Sequence, residues 1–277
     1  MRRILAGVDR KLVWPAWQYL ELRKLTSLIA KNSARLSEIG IDIVCTHFKE
    51  DLSWILAVGP RVNRIFVYDC QEQAVPDVLK THPKVHWRTK PEGNGHYSYM
   101  LYVTECYHQL PDYTMFLHGH DTSWHQSNSI STLLNKMQAL MAKQQMPAYC
   151  ALNDRPYADW YTPGEFIRET VERCWPLLAE ELQMPAPPDG VLDIHACQFV
   201  AHRSRTLARP LGTWQRIRDK VKDIKHHATE DYFIEGITHI LWGEPYRRPC
   251  IEKNLRRLVT RKCNELDLRL KGVIAPT

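Results

Sequence analysis

Short apolar runs alternate with stretches of helical periodicity along most of this chain. The short runs are rich in β-branched and aromatic residues, as strands are, and lie at residues 41–45, 63–69, 85–87, 113–117, 148–152 and 196–201. Apolar residues recur at helical spacing in residues 96–110, 130–143, 207–225 and 231–241. This alternation predicts βαβ units, and therefore one α/β, Rossmann-like domain with a mostly parallel central sheet flanked by helices.

The chain divides into three regions. Residues 1–40 form a predicted N-terminal helical arm, because apolar side chains keep helical spacing from Leu12 to Leu36 before Gly40. Residues 41–245 carry the alternating pattern, and residues 246–277 form a basic C-terminal extension. The extension contributes to a net charge of +6, and it fits a solvated helix face as well as a functional surface.

Composition places the protein among ordinary globular chains. Hydrophobic residues make up 44% and charged residues 25% of the 277 residues, which argues against disorder. No apolar run is long enough to cross a bilayer, and Asp9, Arg10 and Lys11 interrupt the apolar start that a signal peptide would need. The eight cysteines form no C-x-x-C pair, which favours buried, reduced thiols. We therefore expect a cytoplasmic protein without a transmembrane segment.

Polar residues follow several of the predicted strands. Thr46-His47, Asp69, His118-Gly119-His120-Asp121 and Asn153-Asp154 all stand where a strand ends. In open parallel sheets, ligands bind in the crevice outside the carboxyl ends of the strands. These side chains therefore predict a binding site at that edge of the sheet.

The segment His118-Gly119-His120-Asp121 is the sharpest local signal. Imidazole and carboxylate groups are suitable ligands for a divalent cation or for a metal-bound phosphate, and glycine allows a ligand to approach the backbone. The same residues could instead form a polar loop in which Asp121 or Ser123 opens the next helix. Both interpretations remain open from the sequence.

Two other strand-end features point to a nucleotide. Asp69 could accept hydrogen bonds from a base or a ribose, although a strand-terminal aspartate is also a common turn former. Asn94-Gly95-His96 could present backbone N–H groups to a phosphate at a helix N-terminus. The chain has neither a Walker sequence nor G-x-G-x-x-G, which disfavours kinases, GTPases and classical dinucleotide enzymes.

The segment Thr229-Glu230-Asp231 introduces a predicted helix. Thr229 could be its N-cap, with the acidic residues stabilised by the helix dipole. Alternatively, one carboxylate could face the crevice as a general base. The absence of a G-x-S-x-G elbow argues against serine hydrolysis.

Three ordered motifs carry a family resemblance, namely Phe48-Lys49-Glu50-Asp51-Leu52-Ser53-Trp54, residues 110–120 (LPDYTMFLHGH) and Cys197-Gln198-Phe199-Val200. Over about residues 41–245 the chain resembles a family catalogued only as a domain of unknown function (number 3431). That family is similar to divergent GT-A nucleotide-sugar glycosyltransferases. The resemblance implies a GT-A-like domain that transfers a sugar, such as a pentose or deoxyhexose, from a nucleotide-diphosphate donor to a glycan hydroxyl.

The resemblance also implies roles for individual residues. Thr46 and Asp69 would hold the nucleoside, Asp121 the metal (Mn or Mg) or the diphosphate, and His195 would be a further metal ligand. The residues themselves add Asn94, Gly95 and His118 as candidates for donor binding and His120 as a candidate metal ligand beside Asp121. Asp231 or Glu230 would be the base of an inverting transfer. GT-A enzymes usually carry Asp-x-Asp, which this chain lacks, so Arg155 or His120 could neutralise the diphosphate instead of a metal.

Two alternatives compete with sugar transfer. One is a metal-dependent phosphoester hydrolase that uses His118, His120, Asp121 and His195 as ligands. The other is a module that binds nucleic acid through the basic extension, which we rank last because no DNA- or RNA-recognition motif is present. The sequence does not predict the donor, the acceptor or the oligomeric state.

Overall fold

The computed structural model describes residues 23–24, 26–70, 77–89, 95–123, 126, 128–152, 165–186, 198–224 and 228–245. Side chains are described from residue 169 in the helix that begins at 165, and from residue 233 in the helix that begins at 228. Within these residues six strands form one sheet: β1 (Ile41–His47), β2 (Arg64–Asp69), β3 (Val85–Thr89), β4 (Tyr113–His118), β5 (Tyr149–Ala151) and β6 (Phe199–His202). Their order across the sheet is β3-β2-β1-β4-β6-β5.

Strand β1 lies at the centre of a parallel half-sheet. It pairs in parallel with β2 and with β4, so that Thr46 stands opposite Tyr68 on one side and His118 on the other. All seven residues of β1 are buried, as expected for a parallel strand covered on both faces. The predicted mostly parallel sheet is therefore confirmed for β1 to β4.

The other half of the sheet is antiparallel. Strand β6 runs opposite to β4 and also opposite to β5. The strand at residues 196–201 was predicted, and residues 199–202 form it, but its reversed direction was not. Direction is set by tertiary pairing, which the side-chain pattern of a four-residue strand does not encode.

Besides the helical residues 23–24 and 26–31, nine α-helices have both ends within the described residues. They are α1 (Ser33–Ser37), α2 (Trp54–Val58), α3 (Asp77–Lys80), α4 (Gly95–Cys106), α5 (Ile130–Ala142), α6 (Glu165–Leu182), α7 (Arg203–Leu207), α8 (Leu211–Asp223) and α9 (Ala228–Leu241). Two 3₁₀ turns, Gly59–Arg61 and Tyr107–Gln109, follow α2 and α4. None of the helices in this part of the chain is long and apolar enough to cross a membrane.

The helices cover the sheet on both faces. Alternate residues of β1 separate the two cores, because Val44 packs on one side while Ile43 and Cys45 pack on the other. Helices α4, α6, α8 and α9 cover the Val44 face, and α1, α2, α3 and α5 cover the opposite face. The result is a three-layer α/β/α architecture.

Helix α4 runs back along β1. The hydroxyl of Tyr102 donates to Asp42 near the beginning of β1, at 2.8 Å. At the other end of the helix, a Cβ added to Gly95 would lie 3.4 Å from Oγ1 of Thr46, near the end of β1. The N-terminus of α4 therefore lies at the carboxyl edge of the sheet.

Several predicted helices change in the structure. The helix expected at 207–225 is α8, which begins only at Leu211, because Pro210 has no N–H to donate and disfavours helical geometry at Arg209. A separate helix that was not predicted, α7, precedes it. Helix α6 was not predicted, and Pro176 lies inside it. Helix α9 begins at Ala228, so Thr229 lies within its first turn and is not the predicted N-cap.

The predicted terminal regions are described only in part. Residues 26–31 and α1 are helical, and β1 begins directly after Gly40. The start of the predicted arm and the basic extension from residue 246 lie outside the described residues.

Candidate functional site

The candidate site lies between the carboxyl ends of β1 and β4. From β1 the chain adds β2 and β3 on one side, and it then crosses through α4 to place β4 on the other side. Such a reversal of strand order leaves a crevice at the carboxyl edge, where ligands bind in open α/β sheets. Thr46, Asp69, His118 and Gly95 all lie at this edge, as the sequence predicted for strand-end residues.

Thr46 joins three elements at the crevice. Its Oγ1 donates to the carbonyl of Leu117 in β4 at 3.4 Å, and a Cβ added to Gly95 at the beginning of α4 would lie 3.4 Å from the same oxygen. The helix dipole adds partial positive charge at a helix N-terminus. The structure therefore brings the N-terminus of α4 to Thr46, while Asn94 lies outside the described residues.

Asp69 forms a buried pair with His47. Its Oδ1 lies 3.2 Å from Nδ1 of His47, and both side chains are almost completely buried. The second ring nitrogen of His47 lies 3.2 Å from the backbone carbonyl of Glu50. His47 thus ties the end of β2 to the loop after β1 and fixes the orientation of the Asp69 carboxylate.

The loop after β1 also makes hydrogen-bond and packing contacts with the loop after β4. The indole Nε1 of Trp54 donates to the carbonyl of Gly119 at 2.7 Å. The carboxylate of Glu50 lies against Gly119, where an added Cβ would stand only 2.8 Å from Oε2. From β6, Oε1 of the fully buried Gln198 accepts the N–H of His118 at 3.1 Å. The three sequence motifs therefore meet in space at residues 118–119.

The two histidines of the β4 loop lie side by side. Their ring centroids are 5.5 Å apart, and the rings are nearly perpendicular. Burial lowers the pKa of His120, which outweighs the opposing effect of the Glu50 and Asp121 carboxylates. The imidazole of His120 is therefore neutral at neutral pH, the form that can act as a ligand or as a hydrogen-bond partner.

Asp121 has a structural contact that bears on its predicted role. Its Oδ1 accepts the N–H of Ile130, the first residue of α5, at 2.9 Å. Its backbone carbonyl accepts from Nε2 of the buried Gln126 at 3.0 Å. One carboxylate oxygen of Asp121 therefore helps to open the next helix, which was the structural interpretation left open for this segment.

The predicted metal ligands do not form a complete set in the structure. Among the residues described, no three His, Cys, Asp or Glu side chains are placed to hold a metal ion. His120 and Asp121 supply two donor groups, and the third predicted ligand, His195, lies outside the described residues, as does Arg155. The metal site stays a prediction that depends on His195.

The predicted base residues lie in the first turn of α9. The backbones of Glu230 and Asp231 are helical, and their side chains are not among those that the structure describes. The other end of α9 is fixed by Trp242, whose ring packs on Phe116 and Phe199 and whose Nε1 donates to Thr206. The helix has 14 residues and is about 21 Å long, similar to the length of β4.

A separate cleft of about 450 Å³ opens at the opposite, amino edge of the sheet. Three of its charged groups are already paired. Arg64 binds the buried carboxylate of Asp42, and Asp112 accepts the N–H of Gly40 and faces Arg203 at 3.5 Å. We regard this cleft as a stabilised strand edge, because Arg64, Asp112 and Arg203 are satisfied within the protein.

Sequence reasoning named His47 only as a strand-end residue, and it missed three other residues that build the site: Glu50, Trp54 and Gln198. Trp54 lies 65 residues from its partner Gly119, and Gln198 lies 80 residues from its partner His118. The available signal was the motif sequence itself, because Glu50 and Trp54 belong to the first motif and Gln198 belongs to the third.

Comparison with known families gives a match over most of the chain. The model of the family described as "Protein of unknown function (DUF3431)" matches residues 43–255. A search of curated proteins found no match. The chain belongs to the DUF3431 family.

Proposed function

We propose, on the premise of this family membership, that the protein is a nucleotide-sugar-dependent glycosyltransferase. It would bind a nucleotide-diphosphate sugar at the carboxyl edge of the sheet and transfer the sugar to a hydroxyl of a glycan acceptor. The observation that carries the proposal is the convergence of three parallel strand ends and the N-terminus of α4 at the β1–β4 crevice. A crevice of this kind is where α/β folds bind nucleotides.

The donor is oriented by the two sides of the crevice. Thr46 and the fixed carboxylate of Asp69 stand at the ends of β1 and β2, where they would meet the nucleoside. The diphosphate would then face Gly95 at the N-terminus of α4, where the helix dipole favours an anion. His118, held through its backbone by Gln198, borders the same space from β4.

The base would come from α9. If this helix runs antiparallel to β4, its length is sufficient to bring Glu230 and Asp231 to the carboxyl edge. The carboxylate of Asp231 would accept the proton of the acceptor hydroxyl while the oxygen attacks the anomeric carbon. The bond from that carbon to the diphosphate oxygen breaks on the opposite face, so the configuration inverts and the nucleoside diphosphate leaves.

The leaving diphosphate needs its charge balanced. A divalent metal, Mn or Mg, would supply that charge if held by His120 and Asp121 together with His195. Without a metal, Arg155 and the N-terminus of α4 would have this role. A pentose or a deoxyhexose is the candidate for the transferred sugar.

A thermal-shift screen tests the proposal. Purified protein is heated with UDP-, GDP- and dTDP-sugars, each with and without Mn. We expect one nucleotide family to raise the melting temperature, because a ligand that binds only the folded state stabilises it. No shift with any nucleotide, together with a shift from Mn alone, would overturn sugar transfer and favour the hydrolase.

The base assignment has its own test. Asp231→Asn is expected to abolish transfer while the donor still raises the melting temperature, because the amide retains the shape of the side chain but cannot accept the proton. Unchanged turnover in this variant would contradict the assignment. Glu230→Gln, measured in parallel, shows which of the two carboxylates acts.

A further inference from the structure

We propose that Glu50 is a ligand-binding carboxylate, which accepts a hydrogen bond from a sugar hydroxyl at the β1–β4 crevice. This inference rests on the proposed function for its ligand class, because a nucleotide sugar carries hydroxyl groups on both the ribose and the transferred sugar. Glu50 was not among the residues that the sequence identified as candidates.

One oxygen of the Glu50 carboxylate is anchored by the backbone. Oε2 accepts the N–H of Phe48 at 2.7 Å and the N–H of Lys49 at 3.0 Å. Hydrogen bonds from N–H groups to an ionised carboxylate are short and strong, so they hold the group in one position. The carboxylate is therefore fixed before any ligand arrives.

The position of Gly119 keeps room for this carboxylate. A Cβ at residue 119 would lie 2.8 Å from Oε2 and 3.1 Å from both Cβ and Cδ of Glu50. All three of the nearest atoms belong to Glu50, so the space that glycine leaves at this point of the β4 loop is filled by the Glu50 side chain. The carboxylate is consequently wedged between the loops that end β1 and β4.

The second oxygen is available to a ligand. Across the part of the chain that the structure describes, no hydrogen bond reaches Oε1 of Glu50, and the residue is only half-buried. A carboxylate oxygen that is held in place and has no partner of its own suits a ligand hydroxyl, which can donate a hydrogen bond to it.

The substitution Glu50→Gln separates this role from loop anchoring. The amide oxygen of glutamine can still accept from Phe48 and Lys49, so the loop keeps its support. The other corner of the side chain changes from an acceptor to a donor. A purely structural Glu50 therefore predicts little change, whereas a ligand-binding Glu50 predicts a weakened complex.

The experiment measures binding of the nucleotide sugar that gives the largest thermal shift. We expect Glu50→Gln to weaken its affinity roughly 10- to 100-fold, the range for losing a hydrogen bond to a charged group, while the melting temperature without ligand stays unchanged. Glu105→Gln, a partly exposed glutamate in α4 that faces Arg88, is the matched control and should bind like the wild type. An affinity for Glu50→Gln equal to that of the wild type would overturn the inference.

Gly119→Ala provides an independent route to the same carboxylate. The added methyl group should displace the Glu50 side chain and weaken binding. If both changes act through one carboxylate, the affinity of the double variant should equal that of whichever single variant binds the ligand less tightly. Gly59→Ala is the steric control, because a Cβ there would lie 2.7 Å from the His82 ring, away from the site. Additive losses in the double variant would contradict a shared mechanism.

Free sugars separate this inference from the proposed function. Saturation-transfer NMR with xylose, fucose and glucose reports hydroxyl recognition without a nucleotide. If no nucleotide binds but a sugar does, and Glu50→Gln abolishes that signal, Glu50 keeps its role and the glycosyltransferase proposal fails. If a nucleotide sugar binds both proteins equally, the glycosyltransferase proposal stands and the Glu50 inference fails. Binding of neither class to the wild type overturns both.

Discussion

The two edges of the parallel half-sheet both carry buried or partly buried carboxylates, but these carboxylates have different kinds of hydrogen-bond partner. At the amino edge, the carboxylate of Asp42 is completely buried and receives hydrogen bonds from Arg64 and from the Tyr102 hydroxyl. At the carboxyl edge, Glu50 and Asp121 each accept hydrogen bonds from backbone N–H groups through one oxygen. The side-chain partners of Asp42 neutralise its charge, whereas the backbone partners of Glu50 and Asp121 position the charge and keep it.

This difference separates stability from binding in the same fold. The pairing of Asp42 with Arg64 joins β1 to β2, and Tyr102 adds α4 to the same group. Removing a partner there leaves a buried polar group unpaired. Contacts at the carboxyl edge instead determine where polar atoms face the crevice, so we expect their loss to alter binding more than folding.

The largest expected effect is at the amino edge. Asp42→Ala removes the buried carboxylate and should lower the free energy of unfolding by about 3 kcal/mol, because Arg64 and Tyr102 lose their partner. Urea denaturation measures the change. Asp219→Ala, which breaks an exposed pair with Arg218, should cost less than about 0.5 kcal/mol. A cost below 1 kcal/mol for Asp42→Ala would remove the proposed contrast between the edges.

A smaller effect distinguishes two buried indoles. Trp54→Phe removes the hydrogen bond to the Gly119 carbonyl, and Trp214→Phe removes an equivalent bond to the Thr206 carbonyl at 2.9 Å. Each change should lower the free energy of unfolding by about 1–2 kcal/mol. Only Trp54→Phe should also weaken nucleotide binding, measured by the ligand-induced shift in melting temperature. Equal losses of binding in both variants would indicate a global rather than a local effect.

The smallest expected effect concerns pH. Burial lowers the pKa of His120 at the carboxyl edge and of His202 at the amino edge. Because each pKa is lower in the folded than in the unfolded state, the stability contribution is full above the ordinary histidine pKa of about 6.5 and declines as the pH falls below it.

His120→Asn and His202→Asn should therefore each reduce the loss of stability on acidification, followed by melting temperature between pH 7.5 and 5. Asparagine at 202 can still cap α7, where His202 now accepts the N–H of Ser204. Only His120→Asn should also change the pH dependence of nucleotide binding. A similar change for His202→Asn would show that the amino edge is coupled to the site.

The parallel half of the sheet was predictable because its strands are locally distinctive. The runs that became β1, β2 and β4 are continuous apolar or β-branched segments that end in polar residues, and burial on both faces requires this pattern. The gathering of Thr46, Asp69 and His118 followed from the parallel direction alone. Helix α6 was harder to predict, since Pro176 interrupts a spacing that Val171, Trp175 and Leu178 otherwise keep.

The detailed contacts of the site could not be read from local patterns. Glu50 looked like part of a polar loop, and only the folded chain brings it against Gly119. Gln198 lies next to a short strand whose reversed direction determines that its amide meets His118. Such contacts depend on which strands become neighbours, and this information is distributed over the whole sequence.

The reversed strand β6 has a consequence for how the fold can be altered. Strand β5 ends and β6 begins at the same edge, where the N–H of Leu152 donates to the carbonyl of Gln198 at 2.8 Å. The segment between these two residues, which includes α6, therefore begins and ends at neighbouring positions that are joined by this hydrogen bond. An exchange of residues 153–197 between relatives would leave the six strands in place but would replace the part of the Val44-face core that α6 supplies through Val171, Trp175 and Leu178. Because Glu181 of α6 also binds Arg216 and Lys220 of α8, these partners would have to be exchanged together with the segment.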